Sequence, residues 1–84
     1  MTIDPADMIG LAGSAVMVAA YTYSNVAKAM NFVLFNMLNL VGAILLIASL
    51  AVHFNLASMM LEVVWALIAL LGLMKALRDR RRAA

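Results

Sequence analysis

The stretch of sequence that decides the fold is residues 56–73, which read LASMMLEVVWALIALLGL and contain one charged residue, Glu62. An apolar run of about 18 or more residues with so few charges is typical of a membrane-spanning helix. A carboxylate within such a helix is costly, so it requires a hydrogen-bonding partner, a water-filled cavity or a proton. This stretch therefore predicts a span, and Glu62 is the first candidate for a functional side chain.

The composition of the whole chain is that of a membrane protein. The chain has 84 residues, of which 68% are hydrophobic and 12% charged, and its mean hydropathy is +1.07. A soluble domain of this size could not bury so much apolar surface, because small domains bury the smallest fraction of their chain. The absence of cysteine excludes disulfides and a thiol nucleophile.

Two further apolar stretches precede residues 56–73. We predict spans at about residues 6–24, 30–52 and 56–75, followed by a basic tail at about 75–84, all in one domain covering residues 1–84. The connections are short, so consecutive spans must lie antiparallel and adjacent. The sequence thus predicts an all-α membrane protein with three transmembrane helices in an up-down-up bundle.

The helix starts carry their own signals. Asp4 can accept from the free amides of a first turn, and Pro5 suits the first helical position because it has no amide hydrogen to leave unpaired. Asn55 is the expected cap of the third helix. The N-terminus is acidic where a signal peptide would be basic, so we expect the first span to be retained.

The distribution of basic residues predicts the orientation. Cytoplasmic flanks of membrane helices are enriched in Lys and Arg. Here the first loop contains Lys28, and the tail contains Lys75, Arg78, Arg80, Arg81 and Arg82. The N-terminus is therefore expected outside and the C-terminus in the cytoplasm, with the tail anchored among anionic lipid head groups. Nucleic acid is not an expected partner, because no aromatic residue interleaves with the arginines.

Each span has a stripe of small or polar residues at helical spacing, and such stripes are where membrane helices associate. We expect the three stripes to face one another or a second copy of the chain. They consist of Gly10, Gly13, Ser14, Met17 and Tyr21; of Asn36, Asn39, Gly42, Ala43 and Ser49; and of Ser58, Glu62, Trp65, Ala66, Ala69 and Gly72.

Three interpretations of Glu62 stay open. It is a hydrogen-bonded acid that joins helices, a residue coupled to proton or cation transport, or a contact with a different membrane subunit. Its level in the membrane favours Ser14, Ser49 or water as a partner. Asn39 is less suitable, because it lies about 10 Å away along the helix axes at 1.5 Å per residue.

The other polar side chains each have two interpretations. Asn36 and Asn39 share one helix face with Gly42, so they either join helices or form a ring of amides around a cavity between two copies. Trp65 lies too deep for the interfacial belt, so core packing, or else cavity lining, is expected. His53 is expected to be solvated at the outer surface, and a lone histidine predicts no metal site.

Two motifs resemble a known family. Leu38-Asn39-Leu40-Val41-Gly42-Ala43 and Glu62-Val63-Val64-Trp65-Ala66-Leu67-Ile68-Ala69 resemble those of very small bacterial inner-membrane proteins with three spans and a basic tail. The resemblance covers nearly the whole chain. It implies the fold and a multi-pass location in the inner membrane, and no activity, because the family has no established one.

A looser likeness is to the SemiSWEET sugar transporters and the wider PQ-loop group. Those are three-helix units with the N-terminus outside that pair as homodimers around a central cavity. The Pro-Gln pair that defines the group is missing, since the only proline here is Pro5. The likeness therefore implies pairing around a cavity without implying a proline hinge or sugar binding.

Two classes of function follow. An enzyme is not expected, because the sequence contains no nucleophile–base pair, metal-ligand cluster or glycine-rich phosphate loop, and no cofactor is expected either. In the first class, a homodimer or larger oligomer forms a transporter-like unit for a small solute or ion, with Glu62, Asn39, Asn36 and Trp65 along the path. In the second, the chain is an accessory subunit of a larger membrane complex.

Overall fold

The computed structural model describes residues 2–83, and over these residues the chain forms three α-helices and no strand. Helix α1 runs Pro5–Val26, α2 runs Phe32–Val52 and α3 runs Leu56–Ala83. The molecule is elongated, with extents of 50 × 23 × 18 Å. The all-α prediction is confirmed; residues 1 and 84, the ends of the predicted domain, lie outside the described range.

Each helix begins at a capping residue that a local sequence signal indicates. Asp4 and Asp7 form a reciprocal capping box at the start of α1, with Pro5 in the first turn. Asn31 caps α2 by accepting from the amide of Leu34 at 3.1 Å. Asn55 caps α3 by accepting from the amide of Ser58 at 3.1 Å, as predicted.

Helix α3 continues beyond the predicted span. We predicted a span that ends near residue 75 and a basic tail after it, and the chain remains helical through that tail to Ala83. Lys, Arg, Ala and Leu are all good helix formers. The last turn also contains Arg80, Arg81 and Arg82, and positive charge there stabilises the negative end of the helix dipole.

The helices are arranged with α2 in the middle. Helix α2 packs against both α1 and α3, whereas within residues 2–83 α1 and α3 do not pack against each other. Consecutive helices are antiparallel and adjacent, as predicted. Within one chain the three stripes do not all face one another, because the stripes of α1 and α3 meet different sides of α2; the alternative, contact with a second copy, stays a prediction.

Glycines set the distance between α1 and α2. A Cβ atom on Gly13 would lie 2.9 Å from the carbonyl oxygen of Gly42 and 2.9 Å from Cβ of Leu45. A Cβ on Gly42 would lie 2.5 Å from Cγ of Met17. Real Cβ atoms do not come so close, so these glycines allow a backbone approach that any side chain would prevent.

The contact face of α1 differs slightly from the predicted stripe. Ala6, Gly13 and Ala20 are its buried residues, spaced seven apart along the helix. Ser14 and Tyr21, each one position further along, are exposed. Because one residue turns the helix by about 100° at 3.6 residues per turn, that shift is enough to move both side chains off the contact.

Two of the helices are suited to a membrane. By length and composition, Phe32–Val52 and Leu56–Ala83 are long and apolar enough to cross one. Helix α1 falls short of that measure, since its apolar residues are interspersed with Gly, Ser, Thr and Tyr. The three-span prediction is therefore supported for α2 and α3 and not for α1.

Candidate functional site

A hydrogen bond between two predicted site residues joins α2 to α3. The indole Nε1 of Trp65 donates to Oδ1 of Asn39 at 3.1 Å. The amide group of Asn39 is turned for this role, because its Nδ2 donates to the carbonyl oxygen of Phe35 in its own helix at 2.9 Å. Asn39 is only 7% exposed. Its two hydrogen bonds offset the cost of burying the amide.

Asn36 lies one turn earlier on the same side of α2. Its Nδ2 donates to the carbonyl oxygen of Phe32 at 2.8 Å, which leaves Oδ1 facing α3. A Cβ on Gly72 would meet that amide group, with its carbon only 2.9 Å away. Gly72 therefore makes room for Asn36, whereas Gly42 makes room for α1.

The two amides and the indole line a cavity of about 230 Å³ between α2 and α3. Trp65 is 43% exposed, so the core packing that we favoured for it is wrong and the cavity-lining alternative describes it. The remaining walls are apolar. The lining consists of Phe35, Asn36, Asn39, Trp65, Ile68 and Ala69.

Glu62 lies three residues before Trp65 on α3 and is half-buried. Its Oε1 is fully buried and has no hydrogen-bonding partner anywhere in residues 2–83. As predicted, Asn39 does not bond to it, because both polar ends of that amide are engaged elsewhere. A buried polar atom without a partner costs about 1–3 kcal/mol, so Glu62 is the least satisfied group on these helices.

The two serines that we predicted as partners of Glu62 lie elsewhere. Ser14 is exposed and its Oγ donates to the carbonyl oxygen of Gly10 in its own helix at 2.9 Å. Ser49 lies against α1, where a Cβ on Gly10 would come within 2.7 Å of its Oγ. The prediction of a serine partner within one chain is wrong, because Ser14 lies on α1, which does not pack against α3, and Ser49 lies on the side of α2 that faces α1.

The predicted basic anchor divides into two groups. Lys75 and Arg80 line a second cavity, between α3 and the start of α2. Arg78, Arg81 and Arg82 are exposed and do not line it. Arg80 also donates from Nη2 to Oδ1 of Asn31 at 3.4 Å, which is long for a hydrogen bond.

At the opposite end of the molecule His53 contacts the start of α1. Its Nε2 lies 2.8 Å from Oδ2 of Asp4 and 3.5 Å from Oδ1 of Asp7. The pKa of Asp4 is lowered, first by the hydrogen bond from the Asp7 amide and then by His53, against the opposing effect of desolvation. This cluster was not predicted from the sequence. The up-down-up order of the helices was the signal available in the sequence, because it places residue 53 at the same end of the molecule as residue 4.

These features define a small all-α protein with two helices suited to a membrane and a polar site between them. The chain belongs to an uncharacterised protein family, whose model matches residues 6–81. That match is consistent with the resemblance to an uncharacterised family of small proteins, and the looser likeness to the SemiSWEET group stays a prediction. No curated protein and no solved structure matches the chain.

Proposed function

We propose that the chain is a multi-pass protein of the bacterial inner membrane whose copies associate into a transporter-like unit for a small solute or ion. In this unit α1 crosses the membrane together with α2 and α3, and one side of α1 packs against α2. Glu62 takes up and releases a proton or cation, and Trp65, Asn39 and Asn36 line the path beside it. Three helices have too little interior for a pathway, so the function requires an oligomer.

Lys28 and the five basic residues near the end of α3 support an orientation with the N-terminus outside. Because the chain has no cysteine, single cysteines can report this directly. We expect an impermeant maleimide to label Thr2→Cys and Asn55→Cys on intact spheroplasts, and to label Lys28→Cys only after permeabilisation. Labelling of Lys28→Cys on intact spheroplasts contradicts the orientation.

The observation that carries the transport proposal is the unpaired, buried Oε1 of Glu62. An intramembrane acid without a partner in its own chain needs a proton, an ion, water or a second copy. The cavity of about 230 Å³ is lined by Trp65, three residues after Glu62 on α3, and supplies space next to polar groups, although Glu62 itself does not line it. A homodimer that places two such cavities together accommodates a continuous polar path.

Replacement of Glu62 by glutamine tests the proposal, because glutamine keeps the shape and the hydrogen-bonding capacity but cannot carry a proton. In liposomes under an imposed potential, we expect the unmodified chain to conduct protons or sodium above protein-free vesicles. Glu62→Gln should lower that flux about tenfold or more while the oligomer persists in native mass spectrometry.

Ser14→Ala is the matched control, because Ser14 is exposed and bonded within its own helix. It should leave both flux and oligomeric mass unchanged. A monomeric chain, or a flux no greater than that of empty vesicles, contradicts the proposal. Loss of the oligomer in Glu62→Gln assigns the acid to helix association instead.

The second candidate function is an accessory subunit of a larger membrane complex. The observation that favours it is the outward side of α3, where Val64, Leu67 and Leu71 are 51%, 55% and 64% exposed. A contiguous apolar face suits another membrane protein as well as lipid. Recovery of the chain from native membranes only as a stoichiometric component of a larger complex favours this role.

A further inference from the structure

A cavity of about 410 Å³ lies where the start of α2 meets the last turns of α3. This volume is within the range of small-ligand sites, about 300–1,000 Å³. Its charged lining comes entirely from α3, as Lys75, Asp79 and Arg80. Asn31 and Asn36 contribute polar groups from α2.

The two cations at this cavity form no ion pair within residues 2–83. Within residues 2–83 neither Lys75 nor Arg80 has a carboxylate oxygen within 4.0 Å, although Asp79 lies four residues after Lys75 and adjoins Arg80. Arg80 uses one donor in its 3.4 Å contact with Asn31, and a guanidinium has five. Both side chains therefore have donors available for an anion.

The start of α2 adds to the positive potential. Phe32 and Val33, in the first turn, form part of the cavity wall. The Asn31 side chain caps the amide of Leu34 and its carbonyl oxygen accepts from Phe35, so neither engages the amides of Phe32 and Val33. Free amides and the helix dipole together favour phosphate-like anions at such a terminus.

We propose that this cavity, between Lys75 and Arg80 of α3 and the first turn of α2, binds the phosphodiester of a lipid head group. The proposal rests on the membrane placement in the proposed function and not on transport. Met30, Phe32 and Ala76 form an apolar wall against which the glycerol end and the acyl chains can lie. That wall favours a lipid over a water-soluble phosphate ester.

Asp79 indicates which phosphate fits. Two cations and one carboxylate give the lining a net charge of +1 (two minus one), which complements a phosphodiester with one negative charge. A phosphomonoester carries nearly two negative charges at neutral pH. The second negative charge of a phosphomonoester would be repelled by the carboxylate of Asp79. We therefore infer a preference for phosphatidylglycerol over phosphatidic acid, which Asp79→Asn should reverse.

Native mass spectrometry of the detergent-purified chain titrated with phosphatidylglycerol tests the site. The double variant Lys75→Gln/Arg80→Gln removes both cavity cations and should weaken lipid binding about tenfold. The matched control is Arg78→Gln/Arg81→Gln, which removes the same charge from the same helix outside the cavity. It should change binding less than about twofold, as for exposed charges.

The remaining outcomes separate the alternatives. Equal losses of lipid binding in the two double variants, or no loss in either, contradict the cavity as the binding site. Lipid would then be held by a diffuse attraction to the basic end of α3. Binding of glycerophosphoglycerol, the head group without acyl chains, as tight as that of the whole lipid overturns the lipid assignment in favour of a soluble ester. Because the titration counts bound lipid whatever the flux or the oligomeric state, it can succeed where the transport proposal fails.

Discussion

Replacing Gly13 with alanine is expected to lower the free energy of unfolding by about 1–2 kcal/mol, although alanine is the better helix former. The added Cβ would lie 2.9 Å from the carbonyl oxygen of Gly42, and that oxygen belongs to the backbone of the facing helix. No rotamer change relieves such a contact, so α1 must move away from α2. Overpacking of this kind costs about 1–3 kcal/mol, and the gain in helix propensity offsets at most about 1 kcal/mol.

Gly10→Ala is the matched control for Gly13→Ala. Its Cβ would meet Oγ and Cβ of Ser49, at 2.7 and 3.1 Å, and a serine side chain can rotate or shift where a backbone cannot. We expect a change between zero and a gain of about 1 kcal/mol. Denaturant titrations in detergent, followed by circular dichroism, measure both variants. Equal destabilisation at the two positions contradicts the proposed backbone contact.

The second large effect is expected at Asn39. Asn39→Leu removes the acceptor of the Trp65 indole and should destabilise the chain by about 1–2 kcal/mol, because the Nε1–H is left without its partner. Measured hydrogen bonds between membrane helices average about 0.6 kcal/mol and reach about 1.7 kcal/mol. The burial of Asn39 argues for the upper part of that range.

A double-mutant cycle separates this hydrogen bond from packing changes. Trp65→Phe removes the donor, and the double variant Asn39→Leu/Trp65→Phe removes both partners. If the bond carries the energy, the double variant should be less destabilised than the sum of the two single variants. Additive effects across the cycle would assign the losses to packing instead, and the same denaturant titrations provide the values.

The parts of the fold that could be predicted are those specified by residues close together in the sequence. The caps Asp4 and Asn55 act within one turn, and the apolar runs of α2 and α3 define long helices without reference to any other segment. The close-approach role of Gly42 was also predictable, since a glycine flanked by apolar residues has few other uses in such a helix.

The parts that could not be predicted depend on how the helices are rotated and shifted against each other. Counted from the loop between α2 and α3, Asn39 lies about four positions deeper than Trp65. The long indole side chain and the packing of α3 nevertheless bring Nε1 of Trp65 to Oδ1 of Asn39. Ser14 lies off the contact between α1 and α2 for a similar reason, because a rotation by one residue moves it to the exposed side of α1. No local sequence pattern specifies the rotation of one helix against another or the shift between them along their axes.

The central position of α2 has a consequence for how relatives of this chain can diverge. Its glycine side, at Gly42 and Ser49, meets α1, and its amide side, at Asn36 and Asn39, meets α3, with none of these residues serving both. Substitutions that are compensated across one contact need no adjustment at the other. Coevolving positions should therefore separate into two unlinked groups, each pairing one flank of the middle helix with a single neighbour.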